Sequence, residues 1–496
     1  MTIPTMPQKK KILVLWQVIL LLCATPAGFA QPAESQPDAA ALANTSSTQA
    51  STQAKSPLAA SAIVDGSAET AEIIDLTNEL LLKEIDLERY YIKYRISGNQ
   101  EPKGRRVRFF LAQQAAGGSF LGSNIVNTFE TAKHFNTPED VSGRVFAGSG
   151  RVGLTGSVLG ASSSAIELCS NGLLAIKNKI HKEDPTSAKN NVIGRLKVID
   201  ALTAKRDAAV AKLANRPAYE IYVAEGKVLK SFRDWCVYEF TDVYSDIKSN
   251  QSSNNVFYAM DVGAYSVSFA SYILGLKASR KPDLAFDALK CGFVSDALFT
   301  AEAPATTFAN THLYKYHWSK LSRELKESPK DAEEDAKKLM INLEGLTACA
   351  DELTQSQLGP IASRLAIYSY WSTRYDKFID KRLGDIRRQS KIALQSNVSG
   401  PLLGVAGLSQ DVFNAVGLYK CRNNPFAQNS LAFAGAATST CASAASVGLS
   451  AWWFADQIKH DREFRRFKLM PEMLLEERLR TLTVLEQMLT GEDKIQ

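Results

Sequence analysis

The chain has 496 residues, 45% hydrophobic and 22% charged, which is the composition of a globular protein with a sizeable buried core. Its formal charge is +6. Lys9, Lys10 and Lys11 supply three of those units, so the remainder is only weakly basic. No arginine-rich stripe with interleaved aromatics accompanies that charge, which excludes nucleic acid as a partner.

Residues 1–30 read as a secretory signal peptide. Lys9–Lys11 form its basic start, Ile12–Cys23 its apolar core, and Gly28-Phe29-Ala30 places small residues for cleavage before Gln31. The apolar run is short for a bilayer span. Leu22 stands where a lipid-anchor motif at Cys23 would need a small residue. The implied destination is the bacterial periplasm or cell envelope, with membrane association left open. Residues 31–65 are Ala, Ser, Thr, Gln and Pro with few large apolar side chains. Such a segment cannot offset its ordering entropy and reads as a disordered linker.

From Ser67 onward the pattern is helical throughout, in regions spanning 66–250, 251–358 and 359–496. Ile73, Leu76, Leu80, Leu87, Tyr91 and Tyr94 recur at helical spacing, with Gly98 and Pro102 ending the run. Val192–Leu213 is a second helix, and Pro217 opens a longer one. There Tyr222, Leu229, Phe232, Cys236, Phe240, Val243 and Ile247 keep one face. Ser328-Pro329 and Gly359-Pro360 open two more. The first carries Leu339, Leu343, Leu346 and Leu353; the second carries Leu365, Tyr368, Trp371, Tyr375, Phe378 and Ile379. A last helix from Pro471 repeats Leu475, Leu482 and Leu489 every seven residues. No strand alternation competes with these stripes, so the fold class is all-α.

Five stretches differ from the rest. Phe109–Phe129, Val152–Ile166, Val262–Leu276, Ile392–Gln410 and Asn423–Ala455 are crowded with Ala, Ser, Thr and Gly. The last ends on Trp452-Trp453-Phe454 and is followed by Lys459, Arg462, Arg465, Arg466 and Lys468. A Gly inside a helix costs about 1 kcal/mol relative to Ala, which close backbone packing must recover. The architecture expected is a bundle in which long amphipathic helices sheathe hairpins rich in small residues. Transmembrane hairpins are the alternative, weakened by Glu167, Asp261 and Asp411, because an acidic residue near a bilayer centre costs about 2.5–3.5 kcal/mol.

An internal duplication is also expected. Shifting by 282 residues matches Arg105-Arg106 to Arg387-Arg388, Gln113 to Gln395, Gly118 to Gly400, Leu121 to Leu403 and Gly122 to Gly404. Val262–Thr300 reads as a weaker third copy. Gly118, Gly122, Gly400 and Gly404 are therefore the predicted helix-packing glycines, and Gly226→Leu, outside the copies, is expected to be milder than Gly404→Leu.

Six cysteines lie beyond the signal: Cys169, Cys236, Cys291, Cys349, Cys421 and Cys441. An even count in an exported chain allows disulfides among them, and no C-x-x-C pair suggests a zinc or redox site. Gly148-Ser149-Gly150-Arg151-Val152-Gly153 fits G-x-G-x-x-G but lacks the flanking strands that a dinucleotide site needs. Ser245-Asp246-Ile247-Lys248 fits S-x-x-K without its companion motifs. His312 and His317 sit on different helix faces among aromatics. Glu333-Glu334-Asp335 reads as a solvated helix start. No catalytic, cofactor or metal motif emerges. The expected function is a non-enzymatic envelope scaffold or interaction module, with a protein partner or self-association. Two readings stand beside it: a membrane-inserting, oligomeric or pore-forming helical protein, and an all-α enzyme or small-ligand binder with a cleft between the copies.

Overall fold

Every 3.6-residue stripe that falls in the ordered part of the chain becomes a helix. The computed structural model describes residues 68–490, except for 100–103, 326–331, 349–360, 362–363, 370–398, 467–470 and a few single positions. Among the described residues there are ten helices and no strand. They are α1 Ala68–Asn99, α2 Arg105–Lys133, α3 Gly143–Ile180, α4 Pro185–Ala211 and α5 Tyr219–Ala278. The others are α6 Leu284–Glu324, α7 Ala332–Ala348, α8 Ser399–Lys420, α9 Pro425–Arg466 and α10 Pro471–Thr490. The signal peptide and linker, Leu353, and the stripe from Trp371 to Ile379 lie outside the described residues.

Local chemistry sets the helix starts. Gly104 takes the left-handed conformation (φ 78°) that turns the chain into α2. Asp184 caps α4 by accepting from the Thr186 and Ser187 backbone N–H groups, with Pro185 in the first turn. α5 runs unbroken for 60 residues, so the change in composition near 250 falls inside one helix.

The helices sort into two parts. α1, α4, α7, α10, the first half of α5 and the end of α6 form a body around large side chains, including Ile73, Leu80, Tyr91, Val192, Phe232, Phe240, Leu343, Tyr368 and Leu482. Burying each such side chain is worth about 1.5–3 kcal/mol. Within this body Glu225 is buried and accepts from Arg206, Arg364 and Tyr368 at 2.7–3.2 Å. A second buried pair joins Arg478 to Glu88 at 2.7 Å.

The other part is a closed ring. α2 packs on α3, α3 on the second half of α5, α5 on α6, α6 on α8, α8 on α9, and α9 back on α2. Contacts show each neighbouring pair to be antiparallel. Gln113 meets Ser163 while Ser123 meets Ser149, and Gln114 meets Ser450 while Thr128 meets Thr440. Three hairpins, α2/α3, α5/α6 and α8/α9, thus alternate around the ring. Their turns (134–142, 279–283 and 421–424) lie at one end and the body at the other. The ring's cluster of large buried side chains is small, centred on Phe120, Tyr265 and Phe299.

Candidate functional site

Glycine decides how closely the ring helices approach, though not always the glycines expected. A Cβ on Gly404 would lie 2.5 Å from the Thr300 backbone nitrogen and 2.6 Å from the Asp296 carbonyl oxygen, so α6 and α8 touch there backbone to backbone. Gly400 lies against Glu302, and a Cβ would stand 2.7 Å from Oε2. On α3, Gly153 and Gly160 receive the rings of Tyr272 and Tyr265, and Gly156 faces the Ala116 carbonyl oxygen. Gly118 and Gly172 have nothing within 4 Å, and Gly122 makes only an ordinary 3.8 Å contact with Val152. Close approach thus occurs at Gly400 and Gly404 between α6 and α8, while α3 approaches α2 at Gly156 and α5 at Gly153 and Gly160. At Gly226 a Cβ would stand 2.7 Å from Arg206 Nη1, in the buried ion cluster, so it meets a side chain where Gly404 meets backbone.

The ring interior is polar. All the fully buried residues of α3 are Ser149, Gly153, Gly156, Ser157, Gly160, Ser163, Ser164 and Glu167. Gln113 on α2 donates through Nε2 to Asp261 at 3.0 Å and to Ser163 and Ser164 at 3.2 Å, while its carbonyl oxygen accepts from the Tyr265 hydroxyl at 2.6 Å. Ser164 also donates to Asp261. One amide thus ties α2, α3 and α5 together. Glu302 on α6 is buried within electrostatic reach of Asp261, and its Oε1 has no hydrogen-bond partner.

Two further carboxyls follow toward the hairpin turns. Asp296 on α6 sits over Gly407 of α8, and Asp411 on α8 sits over Gly292 of α6. The arrangement is reciprocal, G-x-x-x-D against G-x-x-x-D on antiparallel helices, and it brings the two carboxyls within electrostatic reach of each other. At the body end, Glu167 is held by Arg105 and Arg108, each at 2.5 Å. The carboxyls so form a file along the ring, from Glu167 through Asp261 and Glu302 to Asp296 and Asp411.

The outside of the ring is the reverse. Leu111, Ile125, Val126 and Phe129 are exposed on α2, as are Val152, Val158, Leu159, Ile166, Leu173 and Ile176 on α3. Phe269, Val294, Phe308, Val405, Val412 and Trp452 continue the surface around α5, α6, α8 and α9. The segments 109–129, 152–176, 249–276, 291–314, 400–419 and 423–455 contain no Lys or Arg, and their only acids are the five in the file. A soluble bundle places apolar groups inside and polar groups outside; this ring inverts the pattern.

The other sequence candidates do not converge. Cys169, Cys236, Cys291, Cys421 and Cys441 take part in no disulfide, and Cys349 lies outside the described residues. The G-x-G-x-x-G segment is the first turns of α3, a helix without a preceding strand. Asp246 is buried and Ser245 donates to the Thr241 carbonyl, so S-x-x-K is one turn of α5 rather than an exposed helix end. His312 is exposed against Phe308, and His317 lies among Tyr244 and Tyr316. No group of three or more His, Cys, Asp or Glu among the described residues is placed to hold a metal ion. Comparison with protein-family models, curated proteins and solved structures gives no match.

Proposed function

We propose that this chain is an exported membrane protein, its six-helix ring embedded in the bilayer and its helical body lying against one face. The inverted ring carries this reading: Ser, Gly, Gln and carboxyls inside, Leu, Ile, Val and Phe outside. In water such a wall would be a large exposed apolar patch with only a small core behind it. In a bilayer it faces hydrocarbon, and the interior hydrogen bonds become the attachment between helices. The dimensions agree. α8, at 22 residues, is about 33 Å long, against a hydrocarbon core of about 30 Å.

Bulk hydropathy understates this. Among the described residues, only the stretch Gly143–Ala211 contains a segment long and apolar enough to cross a membrane by length and composition. Interior serines and glycines lower the average of every ring helix, although lipid would not meet them. Trp452 and Trp453 stand at the body end of the wall, just before Lys459 and Arg462, where aromatic side chains anchor at an interface. Export by the signal would leave the body on the outer side and the turns on the cytoplasmic side. Basic residues bound the wall at both ends, Lys133, Arg144, Lys277, Arg280, Lys281 and Lys420 at the turns and their flanks, and Arg105, Arg106, Arg108, Lys177, Lys179 and Lys459 at the body end, while the wall between has none. The three hairpins fill equivalent places in the ring, which is what triplication of one hairpin would produce.

Two measurements test the reading. The protein should stay with membranes through alkaline carbonate extraction. Cys441 is exposed on the outer face of α9, so a polar maleimide should miss it in intact membranes and label it after denaturation. Carbonate release together with rapid labelling of Cys441 would return the chain to the soluble envelope scaffold.

A further inference from the structure

We infer that the carboxyl file inside the ring binds and passes protons, with Asp261 and Glu302 as the central site and Asp296 and Asp411 as the next. The inference rests on the membrane reading above and adds a ligand to it. Ionisable side chains within a bilayer are costly, and they persist where they form relays or ion sites. Glu302 points to such a use: it is buried to 2% exposure, faces Asp261, and has one oxygen without a partner. Among the described residues no Lys or Arg forms an ion pair with Asp261, Asp296, Glu302 or Asp411. The other titratable groups facing them are the Tyr265 and Tyr272 hydroxyls.

The orientation of the neighbours favours a proton over a metal cation. Asp261 is met by donors, the Gln113 amide and the Ser164 hydroxyl, whereas a cation would require oxygen lone pairs turned inward. The Gln113 oxygen is already occupied by the Tyr265 hydroxyl. Glycines leave room for the carboxyls themselves: Gly400 for Glu302, Gly407 for Asp296 and Gly292 for Asp411. A proton arriving at a carboxylate forms one O–H bond and leaves by breaking it, so a transfer along the file needs no co-reactant and moves one charge. Glu302 and Asp296 are six residues apart on α6, about 9 Å along the axis, a gap that two waters would bridge. Glu167 at the body end, with Arg105 and Arg108, is the mouth of the file.

The test uses the full-length mature protein in liposomes loaded with a pH-sensitive dye, with a potassium–valinomycin potential to drive proton entry. Proton influx should exceed that of empty liposomes, and Glu302→Gln and Asp296→Asn should each reduce it at least tenfold. Glu139→Gln, on the exposed turn between α2 and α3, should leave it unchanged. Carbonate resistance of every variant is measured in parallel. An inserted wild-type protein that passes no protons, or a Glu302→Gln variant as active as wild type, overturns the proton assignment and leaves the membrane reading intact. Failure to insert overturns the membrane reading instead. A sodium current without a proton current would also refute the assignment, in favour of a cation site.

Discussion

Gly122 and Gly404 match in the sequence, yet the same substitution should move stability in opposite directions. At Gly404 an Ala Cβ would lie 2.5 Å from both the Thr300 nitrogen and its Oγ1, and 2.6 Å from the Asp296 carbonyl oxygen. Two of those atoms are backbone and cannot rotate away. α6 and α8 would have to part by roughly 1 Å, which forfeits a quarter to a half of the dispersion energy across the contact. Overpacking of this kind costs about 1–3 kcal/mol, against a gain of about 1 kcal/mol from the better helix former. Gly404→Ala should therefore destabilise by up to about 2 kcal/mol, and Gly404→Leu by more. At Gly122 the new methyl meets Val152 at an ordinary 3.8 Å, so Gly122→Ala should keep most of the helix-propensity gain. Thermal or urea unfolding of both purified variants in the same detergent should separate them by about 1–3 kcal/mol. A separation below about 0.5 kcal/mol, or a stabilised Gly404→Ala, would refute the backbone contact between α6 and α8.

Three further outcomes follow from the same packing. Lysine at Val158, 45% exposed on the ring wall, should cost about 2.5–3.5 kcal/mol of insertion and shift protein to the carbonate-soluble fraction. Lysine at Val198, 46% exposed on α4 of the body, should do neither; equal behaviour would contradict the membrane boundary. In the body, burial alone would push the Glu225 carboxyl up, but Arg364 and Arg206 hold it below its usual range. Its contribution is thus present above the unfolded carboxylate pKa and lost as pH falls through the folded one, and Glu225→Gln should cost about 3–5 kcal/mol at pH 7 in urea unfolding. Glu84 is the opposite case: burial, with neither carboxyl oxygen hydrogen-bonded, pushes its pKa well up despite Arg233. Its contribution is present below about pH 4.3 and lost as pH rises through the folded pKa, so the stability advantage of Glu84→Gln over wild type should grow from pH 4.5 to pH 8.

The body was legible from the sequence because its stripes are made of Leu, Ile, Phe and Tyr, whose burial is decided by size and period alone. Tyr222, Phe232, Phe240 and Val243 are each at most 1% exposed, as their spacing predicts. The ring was legible only as a list of uncharged, small-residue stretches. Period cannot tell which face of such a helix turns inward when the outward face is apolar and the inward one is Ser and Gly. For the same reason Glu167, Asp261 and Asp411 looked like marks against a membrane, whereas they sit inside the ring, behind its apolar wall, where the proposed bilayer would not meet them. The signal that was available is the pair Gly292-x-x-x-Asp296 and Gly407-x-x-x-Asp411. Each glycine is the seat of the other helix's carboxyl, but only the antiparallel pairing of α6 with α8 brings them together. Local context decides what each glycine meets: Gly118 faces outward, and Gly226 faces Arg206.

α5 joins the two chemistries in a single element. Its first half packs Phe232, Trp235 and Phe240 into the body; its second half carries Asp261, Tyr265 and Ser268 into the ring. At 60 residues it is about 90 Å long, with no proline between Tyr219 and Ala278. Such a helix bends gently but does not hinge without a proline, a bulge or an inserted group. α6 runs beside it, from Phe299 and Glu302 in the ring to Leu321 in the body, but carries Pro304 between them, where a helix can kink. A displacement of the body is therefore transmitted along α5, whereas α6 can absorb part of it at Pro304. Asp261 is on one and Glu302 on the other, so the separation of the two carboxyls depends on how α5 and α6 slide past each other. On the proton reading proposed above, that pair is where the body couples to the ring.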